Sequence, residues 1–455
     1  MKLLKSVFII LAFVLLFSSC SKEPSEEIPM ADFNGNPDEY VFMHESERDL
    51  KMEKIVIEAA NTFLSKHPRI SNTDTKITTD LLAEEHYFST EFYDESLRLD
   101  FINQINLLIP KIPELRDEEV CFELQRAVAT LKDGHSIIFM YNTGFYPIYL
   151  EAFYTENGAE FYAVSLPIEH EDAVYSKLIS INSVPIEEII EKGSPYISAE
   201  NIYTVYSQLE SELCSPLFLA NIGVIGWEDT TADYTFVNEY GEEFILNLSS
   251  DNYSNTVWTE THTGYKNLLM YKYSFNFWYE FIDDETLYIK MNAFDSSDYS
   301  SLLKITTELE KAVTPESPIN KTIIDFRNNP GGSKVHGYNE FIEMINGDEF
   351  GSLYAIINDN TFSMGVVMTS ILKERIERIN LVGTPAGEPP LVFGVVGNPC
   401  TFSYSDFYFQ IGEYAITALP GYEYDALMPD IRVDWNIEDY KNGIDTVLEA
   451  VLALD

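Results

Sequence analysis

The chain has 455 residues, enough for two or three domains, and 45% of them are apolar, so a sizeable core is available. Its 29 Lys and Arg residues stand against 74 Asp and Glu residues, and the formal net charge is −45. A chain this acidic repels nucleic acid and anionic lipid, so we expect no nucleic-acid partner, and the charge identifies no substrate.

The N-terminus is typical of a bacterial lipoprotein. Two lysines precede an apolar run at residues 7–17, which suits a signal peptide but is too short to span a bilayer stably. Two serines then lead to Cys20, the order of a lipobox, although Phe17 stands where leucine is usual. We predict a signal peptide over 1–19, a lipid on Cys20 and a flexible tether over 20–45. The alternative is a plain secretory signal with an unmodified cysteine.

The rest of the chain has no run of about 18 apolar residues, so no membrane span is expected. The predicted location is the bacterial cell envelope, with the lipid on Cys20 in a membrane, the outer membrane by expectation. The protein would face either the periplasm or the cell surface. The other cysteines, Cys121, Cys214 and Cys400, are odd in number and have no metal-binding spacing. They read as buried free thiols, with one disulfide as the alternative.

The region from 46 to 145 is predicted to be mainly helical. Apolar residues recur at steps of three and four between positions 47 and 129. The last helix is predicted to end at a turn, Lys-Asp-Gly-His over 132–135, and a strand should follow at 136–141.

From 146 to 285 the pattern changes to short alternating strands. The predicted elements are strands at 149–153, 161–165 and 177–181, a short helix at 185–190 and a hairpin at 234–248. This region is predicted to be rich in β structure.

From 286 to 455 strands and helices alternate. The predicted elements are helices at 299–313, 337–345 and 364–372 and strands at 287–290, 322–326, 352–357 and 381–382. Repeated β-α-β units imply a mainly parallel sheet, which carries reactive groups at the carboxyl ends of its strands. The Pro-Gly-Gly turn at 330–332 and the corner at Ser363 both follow such ends.

These two turns suggest a serine hydrolase. The amides of Gly331 and Gly332 could bind an oxyanion, although a tight turn alone explains two glycines. Ser363 begins a helix and could attack a carbonyl, although most serines there are N-caps. A serine nucleophile needs a base. Among seven histidines, His135 stands out for its position in the 132–135 turn, where a surface histidine is the alternative.

These segments resemble the tail-specific, or C-terminal-processing, serine peptidases related to the tricorn core protease. Residues 131–135 (Leu-Lys-Asp-Gly-His) resemble the family's Asp-Gly-His turn. Residues 323–332 resemble its strand ending in Arg-x-Asn-Pro-Gly-Gly, and 361–363 (Thr-Phe-Ser) resemble its nucleophile segment. The C-terminal stretch from Pro429 also resembles the family's ending. The resemblance runs from about residue 130 to the end and is thin in the middle.

The resemblance implies a general base from one of two branches. One branch uses a lysine in a Gly-Lys-Gly loop, but the corresponding loop here has Glu388. The other branch implies a triad of Ser363, His135 and Glu423, with Asp425 and Asp133 as rival orienting acids. The implied oxyanion donors are the amides of Gly331, Gly332 and Met364.

The resemblance also implies the fold, a multidomain α/β protein with a ClpP/crotonase-like β-α-β core over 286–455. Residues 167–200 are similar to the family's PDZ-like module, although Ser183 replaces a usual glycine. A PDZ-like fold captures peptides by strand addition, and the alternative is a β domain that only shapes access to the site.

The function we expect is a lipid-anchored extracytoplasmic serine endopeptidase, which forms an acyl-enzyme on Ser363 and needs no metal or cofactor. Its partner would be a peptide or protein substrate, and the sequence does not give the oligomeric state. One alternative is an inactive peptide-binding lipoprotein on the same scaffold. Another is an esterase or other acyl hydrolase with the same triad.

Overall fold

The computed structural model describes residues 42–71, 92–141, 144–259, 268–294, 299–333, 337–395, 397, 399–403 and 405–454. The predicted signal peptide, Cys20 and most of the predicted tether lie outside these residues. Within the described ranges, no helix is both long enough and apolar enough to cross a bilayer.

The structure contains the predicted helices and strands and adds others. The α-helices are α1 (Glu47–Lys66), α2 (Glu95–Leu108), α3 (Asp117–Ala129), α4 (Ile186–Gly193), α5 (Ile202–Glu212), α6 (Pro216–Asn221), α7 (Tyr299–Ala312), α8 (Tyr338–Ile345), α9 (Met364–Arg375), α10 (Ile437–Lys441) and α11 (Thr446–Leu452). The strands are β1 (Ile137–Met140), β2 (Tyr149–Thr155), β3 (Gly158–Ser165), β4 (Lys177–Ile181), β5 (Val184–Pro185), β6 (Thr231–Val237), β7 (Glu243–Ser249), β8 (Phe277–Phe281), β9 (Thr286–Met291), β10 (Lys321–Asp325), β11 (Ser352–Ile357), β12 (Asn380–Gly383), β13 (Leu391–Val395), β14 (Cys400–Thr401), β15 (Phe407–Gln410), β16 (Gly412–Thr417) and β17 (Ile431–Arg432). Short 3₁₀ helices lie at Ile109–Glu114, Ile168–Ala173, Ser194–Tyr196, Ser250–Asn255, Leu269–Tyr271 and Asp348–Phe350. Among the elements that the sequence pattern did not predict are α5, α6, β8 and β13–β17.

The core is a mainly parallel sheet. Its strand order in the described residues is β17-β12-β11-β10-β9-β8, and only β8 runs antiparallel to its neighbour. Strands β9 and β10 are buried along their whole length because both faces of the sheet are covered. Neighbouring residues point to opposite faces, so Ile324 joins the cluster under α7, α8 and α9, while Ile323 joins the cluster under α11. This arrangement confirms the predicted α/β core. The sheet includes β8, which precedes the predicted boundary at 286.

The β-rich region is a second sheet with the order β2-β3-β4-β6-β7, and β5 pairs with β4. Strand β2 is an edge strand, and α5 packs against it. The outward amide of Ala152 on β2 donates to Glu210 Oε1 of α5 at 2.9 Å. This edge of the sheet is therefore occupied at Ala152 by the protein's own side chain.

The N-terminal helices share one core with the C-terminal half of the chain. Strand β1, directly after the Asp-Gly-His turn, pairs antiparallel with β15. The helices α1, α2 and α3 bury their apolar faces together with Phe402, Phe407 and Ile411 from the segment around β15. The pairing places the Asp-Gly-His turn at the start of a small three-stranded sheet with the order β1-β15-β14.

Candidate active site

The two predicted turns meet at one edge of the core sheet. Strands β10 and β11 are adjacent and parallel, so the segments that follow them leave the sheet on the same side. The Phe362 amide donates to the Asn329 carbonyl at 2.9 Å. Asn328 and Asn358 exchange hydrogen bonds of 2.9 and 2.8 Å. The Pro-Gly-Gly turn and the corner at Ser363 are therefore held side by side by these hydrogen bonds.

Ser363 has a strained backbone. Its φ of 53° and ψ of −127° are unusual for a residue with a side chain, and such conformations cost about 1–3 kcal/mol. It precedes α9, but its hydroxyl makes no capping hydrogen bond to that helix. An ordinary N-cap serine would make this bond, so the structure favours the alternative in which the corner presents the hydroxyl.

The predicted oxyanion donors are not equivalent. The Gly331 amide already donates to Asn329 Oδ1 at 2.8 Å, so it supports the turn. The Gly332 amide donates no hydrogen bond within the described part of the chain. Met364 opens α9, and the first amide of a helix has no acceptor within the helix. An oxyanion would therefore be held by Gly332 and Met364.

His135 lies against Phe362, the residue before Ser363. Its ring stacks on Phe362 with 4.7 Å between ring centroids, and only 7% of the residue is exposed. Gln410 from β15 donates to the His135 carbonyl at 3.1 Å, which fixes the turn to β15. Neither ring nitrogen has a hydrogen-bond partner among the described residues, so no Ser363–His135 hydrogen bond is formed in this conformation.

Two carboxylates face Nδ1 of His135. Asp133 Oδ1 lies 3.6 Å from it, and Glu388 Oε1 lies 3.8 Å from it. The same Glu388 oxygen accepts the Ser363 amide at 2.7 Å. The imidazole and the Ser363 amide therefore lie next to the same buried oxygen atom, Oε1 of Glu388, and Nδ1 is the ring nitrogen that faces it.

The carboxyl groups of the site differ in ionisation. Burial raises the pKa of Glu388 well above its ordinary value, and repulsion from Glu200 adds to the shift. Burial and then the charge of Asp133 raise the pKa of Glu200 to about 8. Burial alone would raise the pKa of Asp133, but the nearby imidazole of His135 and the hydrogen bond from His67 outweigh burial and hold that pKa well below its usual range. Asp133 is therefore the ionised acid of the group, and the other two hold protons more strongly.

Asp133 is fixed by a small network. It accepts His67 Nε2 at 3.0 Å, the Ser136 hydroxyl at 2.5 Å and the His135 amide at 2.9 Å. These bonds order the Asp-Gly-His turn from within the N-terminal helical region.

The β-rich region holds two of the site loops. Glu200 accepts the Gly134 amide at 2.9 Å, which anchors the histidine turn. Asn201 caps α5 and donates its Nδ2 to the carbonyls of Ala386, Gly387 and Asp425 at 3.3, 2.9 and 3.0 Å. The loop that carries Glu388 is therefore braced by a residue from outside the core sheet.

Glu423 lies apart from the imidazole in this structure. Its side chain is exposed, and among the described residues no hydrogen bond or ion pair joins it to His135. Its role as the orienting acid stays a prediction without support from the geometry. Asp133, the rival considered from the sequence, does face the ring.

Sequence reasoning missed Glu388 and Glu200. In the sequence, Glu388 was noted only because it stands where a lysine was expected. Its position 25 residues after Ser363 could have indicated that it lies beside that serine. Glu200 had no signal, since it is one of 74 acidic residues in the chain.

No protein-family model matches the chain, and no curated protein sequence matches it. Among solved structures, mature CPAF complexed with lactacystin is similar, with a TM-score of 0.59, 11% identity, and coverage of 89% of this chain and 97% of that chain. Mature CPAF gives a TM-score of 0.58 at 11% identity and covers 88% and 96%. The photosystem II D1 C-terminal processing protease covers 88% and 96% at 12% identity, but its TM-score is only 0.40. The likeness to CPAF confirms the fold that the sequence motifs imply.

Proposed function

We propose that this protein is a serine endopeptidase whose nucleophile is Ser363 and whose general base is His135. The observation that carries the proposal is the shared Glu388 oxygen, which lies 2.7 Å from the Ser363 amide and 3.8 Å from His135 Nδ1. Three segments far apart in the sequence converge there. The fold shared with CPAF and the motifs similar to tail-specific peptidases support a peptide bond as the target.

The reaction is a two-step acyl transfer. A small closure of the site would bring Nε2 of His135 to the Ser363 hydroxyl, since catalytic hydrogen bonds are often long before substrate binds. Nε2 takes the hydroxyl proton as Oγ attacks the scissile carbonyl, and the imidazolium then protonates the leaving amine. Water, activated by the same nitrogen, hydrolyses the resulting ester on Ser363.

The surrounding groups stabilise the charges that form. The amides of Gly332 and Met364 would bind the tetrahedral oxyanion, and removal of one such donor costs about 10²–10³ in rate. Asp133 faces Nδ1 and stabilises the imidazolium, while the Glu388 oxygen holds the Ser363 backbone in its strained conformation. No step of this sequence uses a metal or another cofactor.

The proposal includes a lipid anchor outside the cytoplasm. Its support is the order of two lysines, an apolar run and Cys20 at the N-terminus. Mass spectrometry of the protein isolated from membranes would test it: an acylated N-terminal Cys20 is expected, and an unmodified cysteine would refute it.

The test of the catalytic proposal is Ser363→Ala. The purified protein should react with a serine-directed phosphonate and cleave members of a peptide library, and the variant should do neither. Ser370→Ala is a matched control, because Ser370 is a buried serine of the same helix and should be dispensable for labelling. Labelling that survives in Ser363→Ala would refute the proposal. Peptide binding without labelling or turnover would favour the inactive binding protein, and ester turnover without peptide turnover would favour an esterase.

A further inference from the structure

The imidazole of His135 belongs to a compact group of potential metal ligands. One ligand atom each from Asp133, His135 and Glu200 lie within 4.8 Å of one another. Asp133 is fully buried and His135 is only 7% exposed, so two of the three ligand residues are shielded from bulk water. The triad proposed above uses His135 and Asp133 but assigns no chemical role to Glu200.

Several donor atoms around this group have no partner. Both ring nitrogens of His135, Oε2 of Glu200 and Oε2 of Glu388 are buried and make no hydrogen bond within the described residues. Buried polar atoms are nearly always satisfied, so the unsatisfied imidazole of His135 and the unsatisfied Oε2 of Glu200 in one ligand group call for a ligand. Glu388 itself is fully buried and borders the group through its Oε1.

The spacing of the atoms fits a shared cation better than direct hydrogen bonds. The distance from Nδ1 of His135 to Oδ1 of Asp133 is 3.6 Å. Hydrogen bonds of this kind are about 2.7–3.2 Å long. Two ligands bound at about 2.0–2.2 Å to one tetrahedral ion lie about 3.4 Å apart, close to this separation.

The charge balance points the same way. Three carboxyl groups, those of Asp133, Glu200 and Glu388, surround one imidazole in a buried space. The nearby cationic groups are Arg69, whose charge acts on Asp133 and Glu200, and His67 if it is protonated. A dication would neutralise the remaining charge that protons must otherwise neutralise.

We propose that Asp133, His135 and Glu200 bind a Zn²⁺ ion and that this ion inhibits the hydrolase by occupying the imidazole. One nitrogen and two carboxylate oxygens are a ligand set that zinc accepts, whereas Mg²⁺ and Ca²⁺ prefer six or more oxygen ligands. An ion on Nδ1 leaves the ring proton on Nε2, so Nε2 no longer has the free lone pair that would accept the Ser363 proton. The inhibitory half of this inference depends on the proposed function, and the binding half does not.

The binding test uses calorimetry with Zn²⁺ on the full-length Ser363→Ala variant, so that its result does not depend on turnover. One ion per chain is expected, with no heat from Mg²⁺ at the same concentrations. Glu200→Gln, which keeps an acceptor for the Gly134 amide, should weaken zinc binding at least about tenfold, and His135→Ala should abolish it. Glu212→Gln is the matched control, since burial raises the pKa of Glu212 to about 7 but this residue is outside the ligand group. Its affinity should equal that of the parent.

The inhibition test measures the rate of phosphonate labelling of the protein with Ser363 intact. Saturating Zn²⁺ should slow labelling at least about tenfold, and a chelator should restore it. Absence of stoichiometric binding, or binding that survives both His135→Ala and Glu200→Gln, would overturn the site. Binding at the site with an unchanged labelling rate would overturn the inhibition. If the protein is never labelled by the phosphonate but binds one zinc ion, and Glu200→Gln abolishes that binding, the hydrolase proposal is refuted and the metal site is supported.

Discussion

Gly331→Ala should disable the candidate site by pushing its two turns apart. A methyl group at Gly331 would lie 2.6 Å from the Met364 amide nitrogen and 2.6 Å from the Ser363 Cβ. Ordinary contacts of a methyl group begin near 3.4 Å, so one turn must move by about 1 Å. A misplacement of about 1 Å costs roughly 10² in rate, and we expect that loss in phosphonate labelling. The φ of +92° adds a backbone cost of about 1–2 kcal/mol in stability.

Gly241→Ala separates the two effects. Gly241 has a φ of +80° in the turn between β6 and β7, and a methyl group there would meet no atom within 4 Å. It should therefore lose a similar 1–2 kcal/mol for the left-handed backbone without any loss of labelling. Urea denaturation measures the stability of both variants, and the labelling rate measures the site. Equal labelling rates for Gly331→Ala and Gly241→Ala would refute the placement of the two turns against each other.

Three further predictions follow from buried polar groups. Asn201→Asp keeps an oxygen to cap the helix but places a carboxylate where the amide group now donates three hydrogen bonds to carbonyls. It should lower the free energy of unfolding in urea by about 2–3 kcal/mol and speed hydrogen exchange in the Glu388 loop. Unchanged exchange in that loop would contradict the bracing role of Asn201. Arg327→Met removes the bidentate ion pair with Asp445, whose two hydrogen bonds are each 2.7 Å long, and leaves that buried acid without its cation. The free energy of unfolding in urea should fall by about 3–5 kcal/mol. A fall below about 1 kcal/mol would contradict the buried ion pair. Burial and a neighbouring carboxylate raise the pKa of Glu151 to about 8, so the folded state keeps a proton that the unfolded state has released. The free energy of unfolding should therefore fall as pH rises from about 4.3 to about 8, by at most about 1.4 kcal/mol per pH unit from this group. Glu151→Gln should flatten the curve of unfolding free energy against pH. Parallel curves for the two proteins would show that the folded state does not hold Glu151 in its acid form.

The sequence was sufficient for the core because local patterns there agree with the topology. Strands such as β10 have short apolar runs, and α9 has apolar residues at helical spacing, although the structure buries this helix on every side from Met364 to Leu372. Once β-α-β units are recognised, the parallel order of neighbouring strands follows, and it places Gly331 and Ser363 at the same edge. The meeting of the two turns could therefore be predicted without coordinates.

The support of the site could not be predicted in the same way. His135 reaches the core because β1 pairs with β15, and the bond from Gln410 to His135 spans 275 positions. No local pattern specifies a pairing over that distance. Glu200 and Asn201 act through backbone groups of other loops, and such contacts leave no periodic trace in the sequence.

Position 388 connects the choice of base with the rest of the site. An acid at this position accepts the Ser363 amide at 2.7 Å, and the same oxygen lies 3.8 Å from His135 Nδ1. A lysine at the same place could not accept that amide, and its charge would repel the imidazolium ion that forms in the proposed reaction. A lysine at position 388 could itself be the general base, whereas a glutamate there can support His135 as the base. One residue at this position cannot fill both roles. Asn201 holds the Glu388 loop and Glu200 holds the histidine turn, so the site assembles only when the β-rich region packs against both loops. Substitution of either residue should therefore lower the rate of the proposed reaction, although neither residue lies in the core sheet.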